Sequence, residues 1–275
     1  MAGTRFRRSF VVVAAGAVLL ALAPAVPSQA AVAPKDDAAS ASASAPAPFT
    51  IVAYPDTQKY SKSYPSTYNQ QAQWVVDHKA ANDLNIKFVT HLGDIVESID
   101  SSAKEWDNAD AAHDILERGS VPYGVVPGNH DISRAGVGTR YDATFPPSRF
   151  AGQPWYGGYL GDSISGGTQG IASDGVFDST DRRNKDSYQI VNVAPLRFVF
   201  INLEYDMPQY TLNWAQGVIN KQLTVDPDTE FVLVTHNFIN AKNARPTSPI
   251  SRADGRSAQY VWQNLITKNC RSTWS

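Results

Sequence analysis

Residues that could hold metal ions follow four apolar segments of this 275-residue chain. They form the motifs Asp56-Thr57-Gln58, Gly93-Asp94, Gly128-Asn129-His130-Asp131 and Thr235-His236. Carboxylate, carboxamide and imidazole groups supply oxygen and nitrogen ligands, which suit Mg, Mn, Fe or Zn better than soft metals. A carboxylate on a tight turn can also bridge two cations about 3.5–4 Å apart, as in two-metal hydrolytic sites. We therefore predict that Asp94 is a bridging ligand.

The segments before these motifs have the composition of β-strands. Apolar, β-branched and aromatic residues bounded by turn residues predict strands over 49–54, 86–92, 121–126, 197–203 and 231–235. Apolar residues at helical spacing predict helices over 66–81, 103–117 and 261–268. Alternating strands and helices predict an α/β fold with a buried sheet covered by helices. Ligands of such sheets bind at the carboxyl ends of the strands, so we expect the four motifs to meet at one edge.

In this order, the motifs resemble those of the calcineurin-like metallophosphoesterases, and the resemblance covers residues 49–275. It implies an α/β fold of the metallophosphatase type, a β-sandwich of mixed sheets flanked by helices, with two divalent or trivalent metal ions such as Mn, Fe, Zn or Mg. It also implies hydrolysis of a phosphorylated small-molecule or macromolecular substrate, either a monoester or a diester. The metal ligands that it implies are Asp56, Gln58, Asp94, Asn129 and His236.

The same resemblance implies two catalytic residues. His130 is expected to steady or protonate the phosphate ester, and Glu97, three residues after Asp94, is expected to orient that histidine. The chemistry agrees, because paired cations acidify a water molecule that can attack phosphorus in line with the departing oxygen. A protonated imidazole can then give the leaving group its proton.

Two features depart from the family pattern. Gln58 stands where the family has a histidine, and a carboxamide is the weaker donor. No Gly-His-x-His motif follows His236, which predicts a domain truncated at its carboxyl end. The alternative hypothesis is therefore a catalytically impaired secreted domain that binds metal or phosphate. A serine hydrolase is excluded because the chain has no Gly-x-Ser-x-Gly elbow.

Each candidate also has an ordinary structural interpretation. Taken alone, Asp56 could cap a helix, Gly93-Asp94 could be a simple turn, and His236 could be a core residue bonded to the backbone. Their occurrence at successive strand ends favours the metal site. For His91 we predict a packing or supporting role, not ligation. The aromatic group around Trp155 is predicted to pack a loop, with a substrate wall as the alternative.

The amino-terminal residues have the pattern of a secretory leader. Three arginines precede an apolar run in residues 1–30, and small residues lead to a cleavage point after Ala30. We predict export by the Sec or twin-arginine route, and hence an extracellular protein. Residues 31–48 are predicted to be an Ala/Ser/Pro-rich linker, and 49–275 the metallophosphoesterase domain. Residues 133–186 are predicted to be a long irregular insertion.

Composition limits the other partners. The formal net charge of −2 gives no basic footprint for a nucleic-acid backbone, so specific nucleic-acid binding is not expected. No apolar segment after the leader is long enough to cross a bilayer, so no membrane span is expected in the mature form. The single cysteine, Cys270, excludes an internal disulfide.

Overall fold

The computed structural model describes residues 10–13, 47–161 and 182–270. Nearly all of the predicted leader and linker lies outside these ranges, as does the middle of the predicted insertion, so the proposed domain division stays a prediction. The described residues form two β-sheets flanked by helices. Within the predicted leader, residues 10–13 form a strand, β1 (Phe10–Val13).

The first sheet is parallel and has the order β2-β3-β4. Its strands are β2 (Thr50–Tyr54), β3 (Ile86–His91) and β4 (Tyr123–Gly124). The helices between them are α1 (Gln58–Ser63), α2 (Pro65–Asp77) and α3 (Ala103–Arg118). The predicted strand over 121–126 is therefore shorter than expected, because the chain leaves the ladder toward Pro127 while Val125 and Val126 stay buried.

The second sheet is mixed and has the order β1-β8-β7-β6-β5. Its strands after β1 are β5 (Tyr156–Leu160), β6 (Arg183–Val193), β7 (Leu196–Asn202) and β8 (Glu230–Val234). The β5-β6 and β6-β7 pairs are antiparallel, whereas β7-β8 and β1-β8 are parallel. Helix α6 (Gln209–Val225) makes the crossover between β7 and β8.

Short helices occupy the remaining connections. The predicted irregular insertion contains α4 (Thr139–Thr144), α5 (Pro147–Phe150) and strand β5. The helix predicted over 261–268 is present as α7 (Ala258–Val261), a π-helical segment (Trp262–Ile266) and α8 (Thr267–Asn269). Trp155 and Tyr156 pack against the core of the first sheet, as expected for a loop held by its aromatic residues.

Apolar side chains from both sheets form a common cluster. The rings of Phe88 in β3 and Phe200 in β7 have centroids 4.3 Å apart, and Val126, Val232 and Val234 belong to the same cluster. On the outer sides, α2 and α3 pack on the first sheet, and α6 packs on the second. The alternation of elements predicted one buried sheet, whereas the described residues form two sheets flanked by helices, which agrees with the α/β class that the family resemblance implied. The alternation could not show this, because strand order depends on pairing between distant segments.

Within the ranges that the structure describes, no helix combines the length and the apolar character that a bilayer crossing requires.

Candidate metal centre

Three of the predicted ligands come together where strands of both sheets end. Asp56 follows β2, Asp94 follows β3 and His236 follows β8, and one potential ligand atom from each lies within 4.8 Å of the others. The His236 Nε2 atom is 3.4 Å from Asp94 Oδ2, and its Nδ1 atom is 3.8 Å from Asp56 Oδ1. Asp56 retains 43% of its side-chain exposure, so solvent reaches the cluster.

Two glycines allow these strand ends to approach. Gly93 has φ +90°, and a Cβ atom there would lie 2.8 Å from the Gly128 nitrogen and 2.9 Å from His236 Cβ. A Cβ atom on Gly128 would lie only 2.1 Å from Asp94 Oδ1. Because any side chain would force the backbone or the Asp94 carboxylate away, both positions require glycine.

The electrostatics of the cluster favour positive charge. Burial lowers the pKa of the His236 imidazole, but its hydrogen bond to Asp94 and the charge of that residue outweigh burial and raise it to about 9. For Asp94, burial opposes ionisation, but His236 outweighs it and holds the pKa of the carboxyl below its ordinary value. Burial raises the pKa of Asp56, and His236 partly offsets that rise. Two carboxylates therefore stabilise a cation at this position.

The two predicted carboxamide ligands, Gln58 and Asn129, lie in the segments that follow β2 and β4. Gln58 is the first residue of α1, two residues after Asp56, and no group in the part of the chain that the structure describes gives its buried Oε1 atom a hydrogen bond. A buried unpartnered oxygen costs about 1–3 kcal/mol, which a cation would offset. Asn129 is half-buried next to Gly128. Together with the carboxylates and the imidazole, this donor set fits hard or intermediate divalent ions.

The His130 ring bonds a main-chain carbonyl and not the Glu97 carboxylate. Its backbone N–H donates to Asp94 Oδ1 at 3.0 Å, and its ring Nδ1 donates to the carbonyl oxygen of Glu97 at 2.9 Å. The Glu97 carboxylate instead forms an ion pair with Lys59 at 2.6 Å. Glu97 thus contacts the histidine through its main chain, and not through the carboxylate that was expected to orient it, since that carboxylate pairs with Lys59.

Asp131 has a role that the sequence interpretation missed. Its buried carboxylate accepts backbone N–H groups from Gly128 at 2.7 Å and from Ile95 and Val96 at 3.0 Å each. Burial, together with the charge of Asp94, raises the pKa of Asp131 to about 7. It joins the loop after β3 to the loop after β4. The only signal in the sequence is its place at the end of the Gly-Asn-His-Asp motif, since two of its partners lie about 35 residues away.

No protein-family model matches the chain. The chain is 27% identical over 203 residues to the uncharacterized protein YvnB of Bacillus subtilis (strain 168). That alignment covers 74% of this chain and 13% of YvnB, so the chain spans only a small part of that relative's length. The crystal structure of a dimetal phosphatase from Danio rerio (LOC 393393) aligns with a TM-score of 0.37 and 16% identity. The alignment covers 76% of this chain and 74% of the other.

Proposed function

We propose that this chain is a metal-dependent phosphoesterase of the metallophosphatase type, which hydrolyses a phosphoric monoester or diester. The observation that carries the proposal is the convergence of Asp56, Asp94 and His236, whose ligand atoms lie within 4.8 Å of one another at the strand ends. The predicted leader over residues 1–30 makes this a proposal for an exported enzyme.

The family resemblance implies two sets of ligands that share Asp94: Asp56 and Gln58 would hold one ion, and Asn129 and His236 the other. The closeness of Asp56, Asp94 and His236 supports such a centre, and so does the hydrogen bond from the His130 backbone, next to Asn129, to Asp94. The two ions would be drawn from Mn, Fe, Zn or Mg. When bound, such a pair neutralises phosphoryl oxygens and acidifies water.

His130 is suited to serve the leaving group. A carbonyl oxygen can only accept a hydrogen bond, so the contact with Glu97 places a proton on Nδ1. The Nε2 atom is then the ring nitrogen left to face a bound ester. In the imidazolium form it would donate its proton to the departing oxygen. The Asp94 contact to the backbone of His130 holds this residue beside the ligands.

The test is hydrolysis of p-nitrophenyl phosphate and bis(p-nitrophenyl) phosphate by the purified chain, with Mn²⁺ or Mg²⁺ and with a chelator. We expect metal-dependent release of nitrophenol from one ester, and we expect Asp94→Asn to reduce it at least about 100-fold, because a ligand shared by both ions is weakened. The matched control is Asp83→Asn, an exposed aspartate in the turn before β3, which should keep wild-type turnover.

Metal analysis separates the outcomes. A chain that takes up two ions and hydrolyses neither ester contradicts catalysis and supports the alternative of a domain that only binds metal or phosphate. A chain that takes up no ion contradicts the metal centre itself.

A further inference from the structure

Thr57 lies between the predicted ligands Asp56 and Gln58, and it is 1% exposed. Its hydroxyl oxygen is 2.8 Å from His91 Nε2 and 3.2 Å from the carbonyl oxygen of Ile95. The loop after β2 is therefore joined through one hydroxyl group to the end of β3 and to the segment that follows it.

The chemistry of the groups fixes the direction of each hydrogen bond. The backbone N–H of Gly93 can only donate, so His91 Nδ1 accepts it, at 3.1 Å. Neutral His91 then carries its proton on Nε2 and donates it to Thr57 Oγ1. The threonine hydroxyl donates its own hydrogen to the Ile95 carbonyl, which can only accept. Burial, together with the neighbouring histidines, lowers the pKa of His91 well below its ordinary value, so this neutral form is the one present.

These hydrogen bonds are made by the residues next to Asp94, the predicted bridging ligand. Gly93 and Ile95 are the residues on either side of Asp94, and Thr57 stands between the two ligand residues of the other loop. We propose that His91 and Thr57 are positioning residues, which hold Asp94 in register with Asp56 and Gln58 and so set the affinity of the centre for metal. This proposal rests on the proposed function.

A second buried histidine provides the contrast. The ring of His113 lies 6.0 Å from that of His91, centroid to centroid, and both residues are 1% exposed. Among the described residues, His113 hydrogen-bonds the Ala109 carbonyl of its own helix, at 2.9 Å, and no residue of the loops that carry Asp56 and Asp94. Removal of its polar atoms should therefore change stability alone.

The first experiment removes the threonine hydroxyl from the full chain. Thr57→Val keeps the shape of the side chain and loses both hydrogen bonds, whereas Thr57→Ser keeps the hydroxyl. With Mn²⁺ alone as the probe in a calorimetric titration, we expect the dissociation constant to rise about 10- to 100-fold in Thr57→Val. It should stay within about threefold of wild type in Thr57→Ser.

The second experiment compares the two histidines. His91→Phe and His113→Phe each keep a buried ring and lose its nitrogen atoms, so both are expected to lower the midpoint of thermal unfolding. Only His91→Phe is expected to weaken Mn²⁺ binding, again about 10- to 100-fold. Far-UV circular dichroism identifies variants that fail to fold. The threonine pair and the histidine pair are independent tests, so either one can decide the proposal if a variant of the other does not fold.

The outcomes distinguish this proposal from the one on which it rests. Wild-type Mn²⁺ affinity in folded Thr57→Val or His91→Phe overturns the positioning role and leaves the proposed function in place. An equal loss of affinity in His113→Phe and His91→Phe also overturns it, because a general effect of core damage would then explain both. A wild-type chain that binds no Mn²⁺ overturns both proposals.

Discussion

Asp94 is held by its surroundings in a backbone conformation that few residues other than glycine adopt. Its φ is 50°, and the neighbouring Gly93 has φ +90°. The cost of such a conformation is of the order of 1–2 kcal/mol for a non-glycine residue. Hydrogen bonds to the carboxylate from the backbone of His130 and the side chain of His236 offset it. The same strained turn aims the carboxylate at the space between the loops.

Because the Asp94 turn packs directly against Gly128, we expect Gly128→Ala to abolish Mn²⁺ binding. The new methyl group would lie 2.1 Å from Asp94 Oδ1 and 2.4 Å from its nitrogen, so the turn must move. We also expect the free energy of unfolding to fall by about 1–3 kcal/mol, as for other overpacked sites. Urea denaturation and a Mn²⁺ titration measure the two effects.

The matched control is Gly152→Ala. No atom lies within 4 Å of a Cβ at Gly152, although its φ of +80° still strains an alanine. This variant should lose stability and keep Mn²⁺ binding. Wild-type Mn²⁺ affinity in Gly128→Ala would show that the close approach of the two loops is not needed for the centre.

Between elements, a buried network of charges connects the start of β6, the end of β7 and the loop at 250–255. Glu204, which is 0% exposed, accepts hydrogen bonds from Arg182 Nε at 3.1 Å and from Arg252 Nη1 at 2.6 Å. Arg182 also donates to the Gly136 carbonyl in the loop that follows the Gly-Asn-His-Asp motif. The network therefore supports the loop that follows the Gly-Asn-His-Asp motif.

We expect Glu204→Gln to lower the free energy of unfolding by about 3 kcal/mol. The substitution leaves Arg182 without its carboxylate partner and Arg252 with Asp254 alone, and uncompensated buried charge is strongly destabilising. The contrast is Lys59→Ala, which breaks the ion pair with Glu97 where Lys59 is 65% exposed. That loss should stay below about 1 kcal/mol. Equal losses in the two variants, measured by urea denaturation, would contradict the assignment of the network.

The elements also differ in how well the sequence predicts them. For β3 and α3, predicted over 86–92 and 103–117, the observed bounds differ by one residue. The strand is a β-rich run bounded by turn residues, and the apolar side chains of the helix follow a helical period. The eleven residues of β6 were not predicted, because polar side chains such as Lys185 and Asp186 are buried in it. Lys185 pairs with Asp142, and Asp186 accepts the backbone N–H of Glu204, so distant partners make this burial possible.

In the described residues as a whole, apolar side chains form clusters between the two sheets and on the outer side of each sheet. A buried histidine, His113, belongs to the packing on the outer side of the first sheet. His113 contacts the rings of Tyr68, Tyr123 and Phe145 in the core beside the first sheet. Burial lowers the pKa of its imidazole to about 4 from an ordinary value of 6.5. The folded chain thus holds this side chain neutral under conditions where an unfolded chain would protonate it.

The sign of the resulting pH dependence follows from proton uptake on unfolding. Above pH 6.5 both states leave His113 neutral, so its contribution to stability is complete; between pH 6.5 and about 4 only the unfolded state binds the proton. The free energy of unfolding should therefore decrease as the pH is lowered from 6.5 to about 4, by about 3 kcal/mol for this group. His113→Phe should show a smaller fall. Urea denaturation from pH 7.5 to 4.5 measures it, and identical slopes in the two proteins would contradict the prediction.

The sequence by itself determined which side chains stand at the strand ends. Strand and turn composition are local patterns, so the positions of Asp56, Asp94 and His236 after their strands could be predicted from the order of residues alone. The meeting of Asp56 and Asp94 follows from that placement, because β2 and β3 are neighbouring parallel strands whose carboxyl ends lie at one edge. His236 follows a strand of the second sheet, so its approach to the two carboxylates depends on how the sheets pack.

Only the tertiary structure decided which atoms meet. Whether His130 bonds the main chain or the side chain of Glu97, and whether His91 reaches Thr57, depends on segments more than 30 residues apart. The division into two sheets depends in the same way on pairing between distant strands. Such contacts are selected by burial and by the need to satisfy each buried polar group, and no local period in the sequence records them.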